Sequence, residues 1–550
     1  MFNILCLMLL FNDYKDILLK KLKNLYGNIS SNDIEIGENY GDLTLKIFKI
    51  REDPEKVLIK IRNEIRDDFI EKIELKNNYI NFFIKPVEML RTMNESIKQF
   101  SMYPNVFQDT SRVLIEHTSS NPTGPIHVGR IRNSIIGDSI FRLLDRYGYR
   151  AITQYFVNDS GKQVISLYLG HMRYHKNEKP SLENLLDGYQ RIYRDREIDH
   201  SIDEEIKQLD ERYENGDKEL ITSIQEVASI VLDSIKSSLK KIGIEISTYV
   251  WESNFILYGE VNRMLDDIST ELKSEGNAKY LAIGDKKIFL TRTDGTSLYF
   301  ARDIVYHLFK AQSFDWIIDI LGEDHKNHAG NLDFVLKNYF DFESKINYVF
   351  YGFVSLESGK MSTRKGRIVT LNDLYDKTIE ESIKIIRVKR PSYEDEKINK
   401  ISKAIASSSI RFNIIKVNAN KPITFKWSEA LNFEGDSAPY IMYSYARACS
   451  ILKKSKNYGE SYGDYNEYER KLIKTMYIYP YYLKGAVDFL RPDIMANYML
   501  LLSKTFNDFY LNCPIINDPE MNKRIKLLTT FKKILEDSSN IVGINLIDEI

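Results

Sequence analysis

The hydrophobic positions of this chain change period several times, and each change predicts a different element. Asp16–Leu25, Leu43–Ile50 and Val57–Ile65 repeat apolar residues at helical spacing, and Tyr79–Ile84 reads as a strand. Together they predict a small α+β domain over residues 1–105. Val113–Ile115 is a short apolar run, read as a buried strand. The turn-forming residues Ser119–Pro125 follow, and then Ile131, Ile135, Ile136, Ile140, Leu143 and Leu144 recur at helical spacing. That is strand, tight loop, helix. Further strands are predicted at Ile152–Val157, Thr248–Trp251 and Trp316–Leu321, with Tyr280–Ala282 and Lys287–Leu290 flanking a hairpin signal at Gly284-Asp285. Leu185–Tyr193, Ile202–Tyr213 and Ile221–Ile242 read as helices with mixed-charge outer faces. They predict a helical insertion over about residues 166–245, with no catalytic chemistry evident in it. From Leu371 the pattern is nearly all helical, with Ala404–Val417 amphipathic. The expected architecture is multidomain α/β: the small α+β domain, an open α/β sheet domain over 106–375, and an all-α domain over 376–550.

Composition narrows this little. At 550 residues the length suggests about three or four domains. Hydrophobic content of 43% and charged content of 28% are those of an ordinary globular protein. A net charge of −1 means that any nucleic acid must be held by local basic patches. Cys6, Cys449 and Cys513 have neither pairable nor metal-like spacing, which fits a reducing cytoplasm. Met1–Phe11 is apolar but too short to span a bilayer, and polar residues follow at once. It reads as an N-terminal helix or as a start assigned early, with Met8 available; no membrane span is expected.

Two stretches carry candidate chemistry. The loop after the first sheet strand ends at a helix start, where free N–H groups and the helix dipole favour anions. His127, Gly129, Arg130 and Arg132 lie there. Glycine allows close approach to the backbone, and imidazole and guanidinium groups stabilise charge on phosphate oxygens. Far downstream, Gly359-Lys360-Met361-Ser362-Thr363-Arg364-Lys365-Gly366-Arg367 is a basic loop bounded by glycines, suited to clamp a polyphosphate. Asp324, His325 and His328 could supply three metal ligands, but no fourth group is evident and no metal site is predicted.

Pro-Ile-His-Val-Gly-Arg, residues 125–130, resembles the His-x-Gly-His element of class I aminoacyl-tRNA synthetases, with Arg130 in place of the second histidine. The basic loop resembles their Lys-Met-Ser-Lys-Ser element, with Thr363 at the fourth position. Glu116 through Asn121, Pro122, Thr123 and Gly124 to Asn133 is similar to the arginyl-tRNA synthetase version. So are Gly37–Leu43 with Ile80–Phe83, the Asn158-Asp159-Ser160-Gly161 element, and Phe433–Ala448 at the start of a helical bundle. The resemblance runs through most of the chain and is weakest in the insertion. It implies an N-terminal domain touching the tRNA elbow, a Rossmann-like class I catalytic domain and a C-terminal all-α anticodon-binding bundle.

The implied activity is ATP-dependent ligation of L-arginine to tRNA(Arg) through arginyl-adenylate. The first step is in-line attack by a carboxylate on the α-phosphate, which needs positioning and charge stabilisation. By resemblance, His127 and Arg130 stabilise the pentacoordinate phosphate, and Lys360, Arg364 and Lys365 hold the leaving phosphates. Pro125, Gly129, His325, Met361 and Ser362 complete the expected ATP contacts. Mg²⁺ is expected with ATP, with no carboxylate singled out as its ligand. A guanidinium fork is best matched by a bidentate acid. Asp303 and Glu116 are the candidates, with Tyr299, Asn121 and Asp324 beside them. For tRNA, Asn81 and Phe82 suit unpaired bases, the alternative being that Phe82 is core and Asn81 caps a turn. Tyr440, Tyr443 and Arg447 offer stacking faces and a cation, the alternative again being core packing, which applies to Tyr445 as well. The expected protein is a cytoplasmic monomer. Two rivals are a class I synthetase for another amino acid and a tRNA-binding paralogue without catalysis; the Arg130 and Thr363 departures leave room for the second.

Overall fold

The structure, a computed structural model, describes residues 14–37, 40–102, 111–284, 286–356, 369–455 and 462–550. The chain forms two compact units, one of residues 1–109, 146–148 and 431–550 and the other of residues 110–145 and 149–430.

The first unit opens with helix α1 (Tyr14–Tyr26), strands β1 (Ile34–Ile36) and β2 (Leu43–Lys46), helix α2 (Pro54–Glu64), strands β3 (Ile70–Lys76) and β4 (Tyr79–Ile84), and helix α3 (Pro86–Met102). The strands form an antiparallel sheet in the order β1-β2-β4-β3. Helix α2 starts where Asp53 accepts from the N–H groups of Glu55 and Lys56, with Pro54 at its first position. The helix expected over Leu43–Ile50 is instead strand β2. Leu43, Leu45 and Ile47 are buried and alternate with half-exposed neighbours, a period of two. Leu43, Ile47 and Ile50 alone also fit a helical period, which is why the pattern misled.

The second unit holds a parallel five-stranded sheet. Its strands are β5 (Arg112–Glu116), β6 (Arg150–Val157), β7 (Thr248–Trp251), β11 (Trp316–Gly322) and β12 (Lys345–Tyr351), in the order β12-β11-β5-β6-β7. Val113, Leu114 and Ile115 are fully buried, as an inner parallel strand covered on both faces requires. The winding reverses between β5 and β11, which opens a crevice beyond the carboxyl ends of these two strands. Helix α4 (Val128–Tyr147) follows β5. Between β6 and β7 stand the insertion helices α5 (Lys162–Tyr174), α6 (Leu182–Asp195), α7 (Ser201–Glu214) and α8 (Lys218–Lys241), packed around Ile165, Ile192, Ile206, Tyr213 and Ile221. After β7 come α9 (Glu252–Leu257), α10 (Glu260–Asp267), the antiparallel strands β8 (Lys273–Glu275), β9 (Ala278–Ile283) and β10 (Lys286–Phe289), and α11 (Tyr299–Ala311). Helix α12 (Lys326–Tyr339) lies between β11 and β12.

Strand β13 (Val354–Leu356), helices α13 (Leu371–Lys389) and α14 (Asp395–Ile415), strand β14 (Ile423–Phe425) and helix α15 (Trp427–Ala430) complete this unit. The boundary expected at residues 375–376 falls inside α13. A physical tie keeps α14 with the sheet: its fully buried Arg411 pairs with Asp138 of α4 at 2.5 Å.

The first unit resumes with helices α16 (Ala438–Lys454), α17 (Glu467–Tyr477), α18 (Tyr479–Asp488), α19 (Pro492–Asn512) and α20 (Met521–Val542). These helices and the N-terminal sheet share one core: Tyr14 stacks on Phe69 at 4.2 Å and on Tyr477 at 6.2 Å, and Arg470 pairs with Glu71 at 2.8 Å.

Candidate active site

The loop after β5 turns through two consecutive non-glycine residues of positive φ, Thr118 (71°) and Ser119 (32°). Such backbone is costly and persists only where its surroundings fix it. Here they do. The buried Asn133 of α4 accepts from the Thr118 N–H and donates to Ile320 O at 2.7 Å, while the Thr118 hydroxyl donates to Ser134 Oγ at 2.8 Å. Ser119 Oγ donates to Glu116 at 2.9 Å and accepts from Phe156 N–H at 3.1 Å. Helix α4 lies so close to this strand end that a Cβ on Gly137 would sit 2.3 Å from His117. The loop is thereby held at the mouth of the crevice.

Pro125, His127 and Gly129 lead into α4. Val128 N–H donates to Val369 O at 3.0 Å, Leu371 N–H donates to Ile126 O at 2.9 Å, and His127 bridges Thr370. The first candidate element is therefore paired with the backbone that immediately follows the second. The second element itself, with Lys360, Met361, Ser362, Arg364 and Lys365, lies outside the described residues. Its flanks are fixed: β13 before it pairs with β14, and Thr370 after it caps α13 in a reciprocal box with Asp373. Burial and the neighbouring Arg130 lower the pKa of His127, so its imidazole is neutral at neutral pH; its Nδ1 is buried with no partner among the described residues. Arg130 is exposed, and among the described residues no side-chain partner engages it. Arg132 does not join this site. It is fully buried and donates to the carbonyls of Gly352 (2.8 Å), Asn418 (2.8 Å) and Lys421 (2.5 Å).

Helix α11 faces the same crevice with Tyr299 in its first turn and Asp303 one turn on, so the two share a face. Asp303 Oδ2 meets His328 Nε2 at 2.5 Å. His328, weighed in the sequence as a metal ligand, is thus a carboxylate partner. Asp324 and His325 are exposed beside the end of β11. Among the described residues no group of three or more His, Cys, Asp or Glu side chains could hold a metal ion. Glu116 is not free: Lys310 Nζ lies 2.5 Å from its Oε2. Nothing in the sequence singled out Lys310, although a lysine on the apolar face of α11 is the kind of residue that is rarely buried unless paired.

A cavity of about 250 Å³ adjoins Tyr299. Asn121, Asn158, Gln163, Asp210, Glu214 and Arg302 are among its lining residues. Asp210 and Glu214 come from insertion helix α7, so the insertion, read as having no evident chemistry, builds one wall of this cavity. Arg302, 3% exposed, ties that wall down: it pairs with Glu214 at 2.5 Å and Glu252 at 2.9 Å and donates to Ser160 Oγ at 2.8 Å. Asn121 donates to Gln163 Oε1 at 3.0 Å.

Comparison with known proteins fits this geometry. Residues 92–427 match the class I tRNA synthetase (R) catalytic domain. An arginine–tRNA ligase of Thermoplasma acidophilum is 48% identical over 98% of this chain and 100% of its own length. This chain belongs to the arginyl-tRNA synthetase family. The ligase of Archaeoglobus fulgidus is 35% identical, covering 88% of each chain, and that of Methanocaldococcus jannaschii 34% identical, covering 93% and 94%. The Thermus thermophilus arginyl-tRNA synthetase structure superposes with a TM-score of 0.82 at 21% identity, over 98% of this chain and 99% of the other. Residues 441–550 match the DALR anticodon-binding domain. The class I catalytic domain and the helical C-terminal domain thus have the architecture expected from the sequence.

At the start of the DALR domain of this arginyl-tRNA synthetase family member, Tyr443 and Arg447, with Tyr440 just before the matched range, are half-buried on one face of α16. The Arg447 guanidinium stacks 4.4 Å from the Tyr443 ring and 5.0 Å from that of Tyr510, and donates to Asn507 at 2.9 Å. Tyr445 takes the other reading: it is core, bonded to Glu536. In the N-terminal domain Phe82 is core at 1% exposure, and Asn81 is buried, accepting from Thr44 and donating to Tyr79 O. Two aromatic groups left accessible on that sheet are Tyr40 and Phe83, in edge contact at 5.5 Å, with Lys76 and Lys72 each 4.1 Å over one ring.

Proposed function

We propose that the crevice beyond β5 and β11 activates arginine with ATP and passes it to tRNA. The reaction is ATP-dependent ligation of arginine to tRNA, and ATP and tRNA are its partners. The observation that carries the reading is the convergence, at one strand-switch crevice, of the α4 start with the α11 face that bears Tyr299 and Asp303. The arginine carboxylate attacks the α-phosphate in line and pyrophosphate leaves. Neutral His127 donates a hydrogen bond and exposed Arg130 a full charge to the oxygens that gain charge. Pro125, Gly129 and His325 border the nucleotide; Lys360, Met361, Ser362, Arg364 and Lys365 hold the leaving phosphates, and Mg²⁺ carried in with ATP would supply further neutralising charge. Asp303 and Glu116 receive the guanidinium, Tyr299 hydrogen-bonds beside them, and Asn121 and Asp324 orient the amino-acid end.

For tRNA, the stacked Tyr443–Arg447–Tyr510 group, with Tyr440 beside it, supports an anticodon contact. At the elbow, the burial of Phe82 and the internal bonding of Asn81 favour Tyr40 and Phe83 as stacking faces in their place. The enzyme is a monomer of the cytoplasm; among the described residues no helix is long and apolar enough to cross a membrane. Light scattering tests the first point and fractionation the second.

The deciding experiment is charging of mixed tRNA with each labelled amino acid, ATP and Mg²⁺. Arginine alone should be attached, and His127→Ala and Asp303→Asn should each lower the rate of arginine charging at least 100-fold. Attachment of another amino acid would overturn the pocket assignment, and tRNA binding without charging would overturn catalysis.

A further inference from the structure

Glu116 and Asp319 are direct partners in the register of two neighbouring parallel strands, β5 and β11. Partners in a parallel pair point to the same face, so two carboxylates stand side by side in the sheet. Like charges placed this way repel, and burial makes the repulsion worse. Helix α11 answers with Lys310, whose ammonium is fully buried, 2.5 Å from Glu116 Oε2 and 2.8 Å from Asp319 Oδ1. The same ammonium lies 4.3 Å over the ring of Tyr306, and His307 Nε2 meets the other Asp319 oxygen at 2.8 Å. The remaining Glu116 oxygen takes the Ser119 hydroxyl at 2.9 Å.

His307 Nδ1 in turn faces the Asp303 carbonyl at 2.8 Å, so both of its ring nitrogens face acceptors. Exposure separates the two carboxylates. The side chains of Lys310 and Asp319 are 0% and 4% exposed, and that of Glu116 is 14% exposed. Of the three, Glu116 alone therefore keeps an accessible edge, toward the crevice. We infer that Lys310 is a positioning residue for amino-acid recognition: by bridging Glu116 and Asp319 it fixes Glu116 in one orientation, presenting a single carboxylate edge to the guanidinium of arginine. This rests on the reading of Glu116 as a guanidinium partner. Without Lys310, the two adjacent carboxylates would repel each other unbridged, and Glu116 would lose its aim.

Because Lys310 touches no substrate, its effect must pass through Glu116, and a mutant cycle reads that directly. Steady-state charging of tRNA would be measured for Lys310→Met, Glu116→Gln and the pair. The expected result is an arginine KM raised at least tenfold in each single variant with the ATP KM within twofold. In the Glu116→Gln background, Lys310→Met should add less than twofold. If Lys310→Met alone does not fold, Lys310→Met/Asp319→Asn replaces it in the same cycle, since it removes one charge of each sign; a rise of at least fivefold in arginine KM is then expected, again lost in the Glu116→Gln background. A Lys310 effect that persists undiminished beside Glu116→Gln, or that raises both KM values alike, overturns the inference. If Glu116→Gln raises the arginine KM and Lys310→Met does not, the inference alone falls. If Glu116→Gln leaves the arginine KM unchanged, the reading of Glu116 falls and the inference with it.

Discussion

Asp303 Oδ2 and His328 Nε2 stand 2.5 Å apart, so the acid proposed to receive the substrate guanidinium already has a basic partner. The bond to Asp303 raises the pKa of His328 above its ordinary value of 6.5, against the opposing effect of burial. A raised histidine pKa means that the pair's contribution to stability is fully present below about pH 6.5 and is lost as pH rises through the raised value. Arginine binding runs the other way. A guanidinium at Asp303 competes with protonated His328, so binding releases that proton. The arginine KM is expected to fall as pH rises across this window and then level off. His328→Asn should flatten the profile. Charging rates at varied arginine between pH 6 and 9 decide it; a flat wild-type profile, or an unchanged slope in the variant, counts against competition.

Arg132 spends its guanidinium on three backbone carbonyls, those of Gly352, Asn418 and Lys421. Arg132→Met leaves these acceptors, one buried and two partly buried, without this donor. Loss at a buried acceptor costs about 1–3 kcal/mol, so a destabilisation of about 1–3 kcal/mol is expected in urea titration. Arg130→Met, at an exposed position two residues earlier, should shift stability by less than about 0.5 kcal/mol while slowing charging. The reverse pattern would mean that the roles of the two arginines are exchanged.

That contrast shows what the sequence could and could not reveal. Both arginines sit among the first five residues of a helix after a Gly/Pro loop, and local pattern assigns them to one anion site. Only the carbonyls of Gly352, Asn418 and Lys421, brought to Arg132 from more than 200 residues away, separate them. Strand β5 was legible because a doubly covered strand must be apolar throughout, as Val113, Leu114 and Ile115 are. Leu43–Ile50 was not, because its apolar residues satisfy two periods at once. Tyr299 and Asp303 could be paired from their spacing. Lys310 and Glu214 could not be connected to the site, since their partners Glu116 and Arg302 lie 194 and 88 residues away in sequence. The N-terminal pair Asn81-Phe82 shows a further limit: alternation says that neighbours face opposite sides of a strand, but not which side is the core.

Two glycines are expected to respond in opposite senses to the same change. Gly188 of α6 and Gly170 of α5 allow these insertion helices to touch backbone to backbone, and a Cβ on Gly188 would lie 2.6 Å from Gly170. Gly188→Ala must push α6 away from α5, at about 1–3 kcal/mol. Gly330 is exposed within α12, with nothing within 4 Å of an added Cβ. Gly330→Ala removes backbone freedom from the unfolded chain and should stabilise by about 0.5–1 kcal/mol. Unfolding midpoints of the two variants measure both; a neutral Gly188→Ala would mean that the α5–α6 contact yields freely.

Asp159, at the end of β6, is fully buried, and burial pushes its carboxyl up to about 6 against the hydrogen bond from Ser253 N–H. Its Oδ2 has no partner among the described residues. The folded protein therefore holds a proton on this group between about pH 4 and 6, where the unfolded chain has released it. Stability from this group declines as pH rises through that interval and is constant above it. At roughly 1.4 kcal/mol per pKa unit, keeping the ionised acid buried at pH 7.5 costs about 3 kcal/mol relative to a neutral side chain. Asp159→Asn should accordingly be more stable than the wild type at pH 7.5 by up to about 3 kcal/mol, with the advantage gone at pH 4. Urea titrations at both values test the sign, and an equal advantage at both would exclude ionisation as its cause. The same variant tests why an acid stands here. The carboxylate lies in the Asn158–Gly161 segment that borders the crevice cavity. A variant that is more stable at pH 7.5 but slower in charging would show that the buried charge is kept for the reaction and not for the fold.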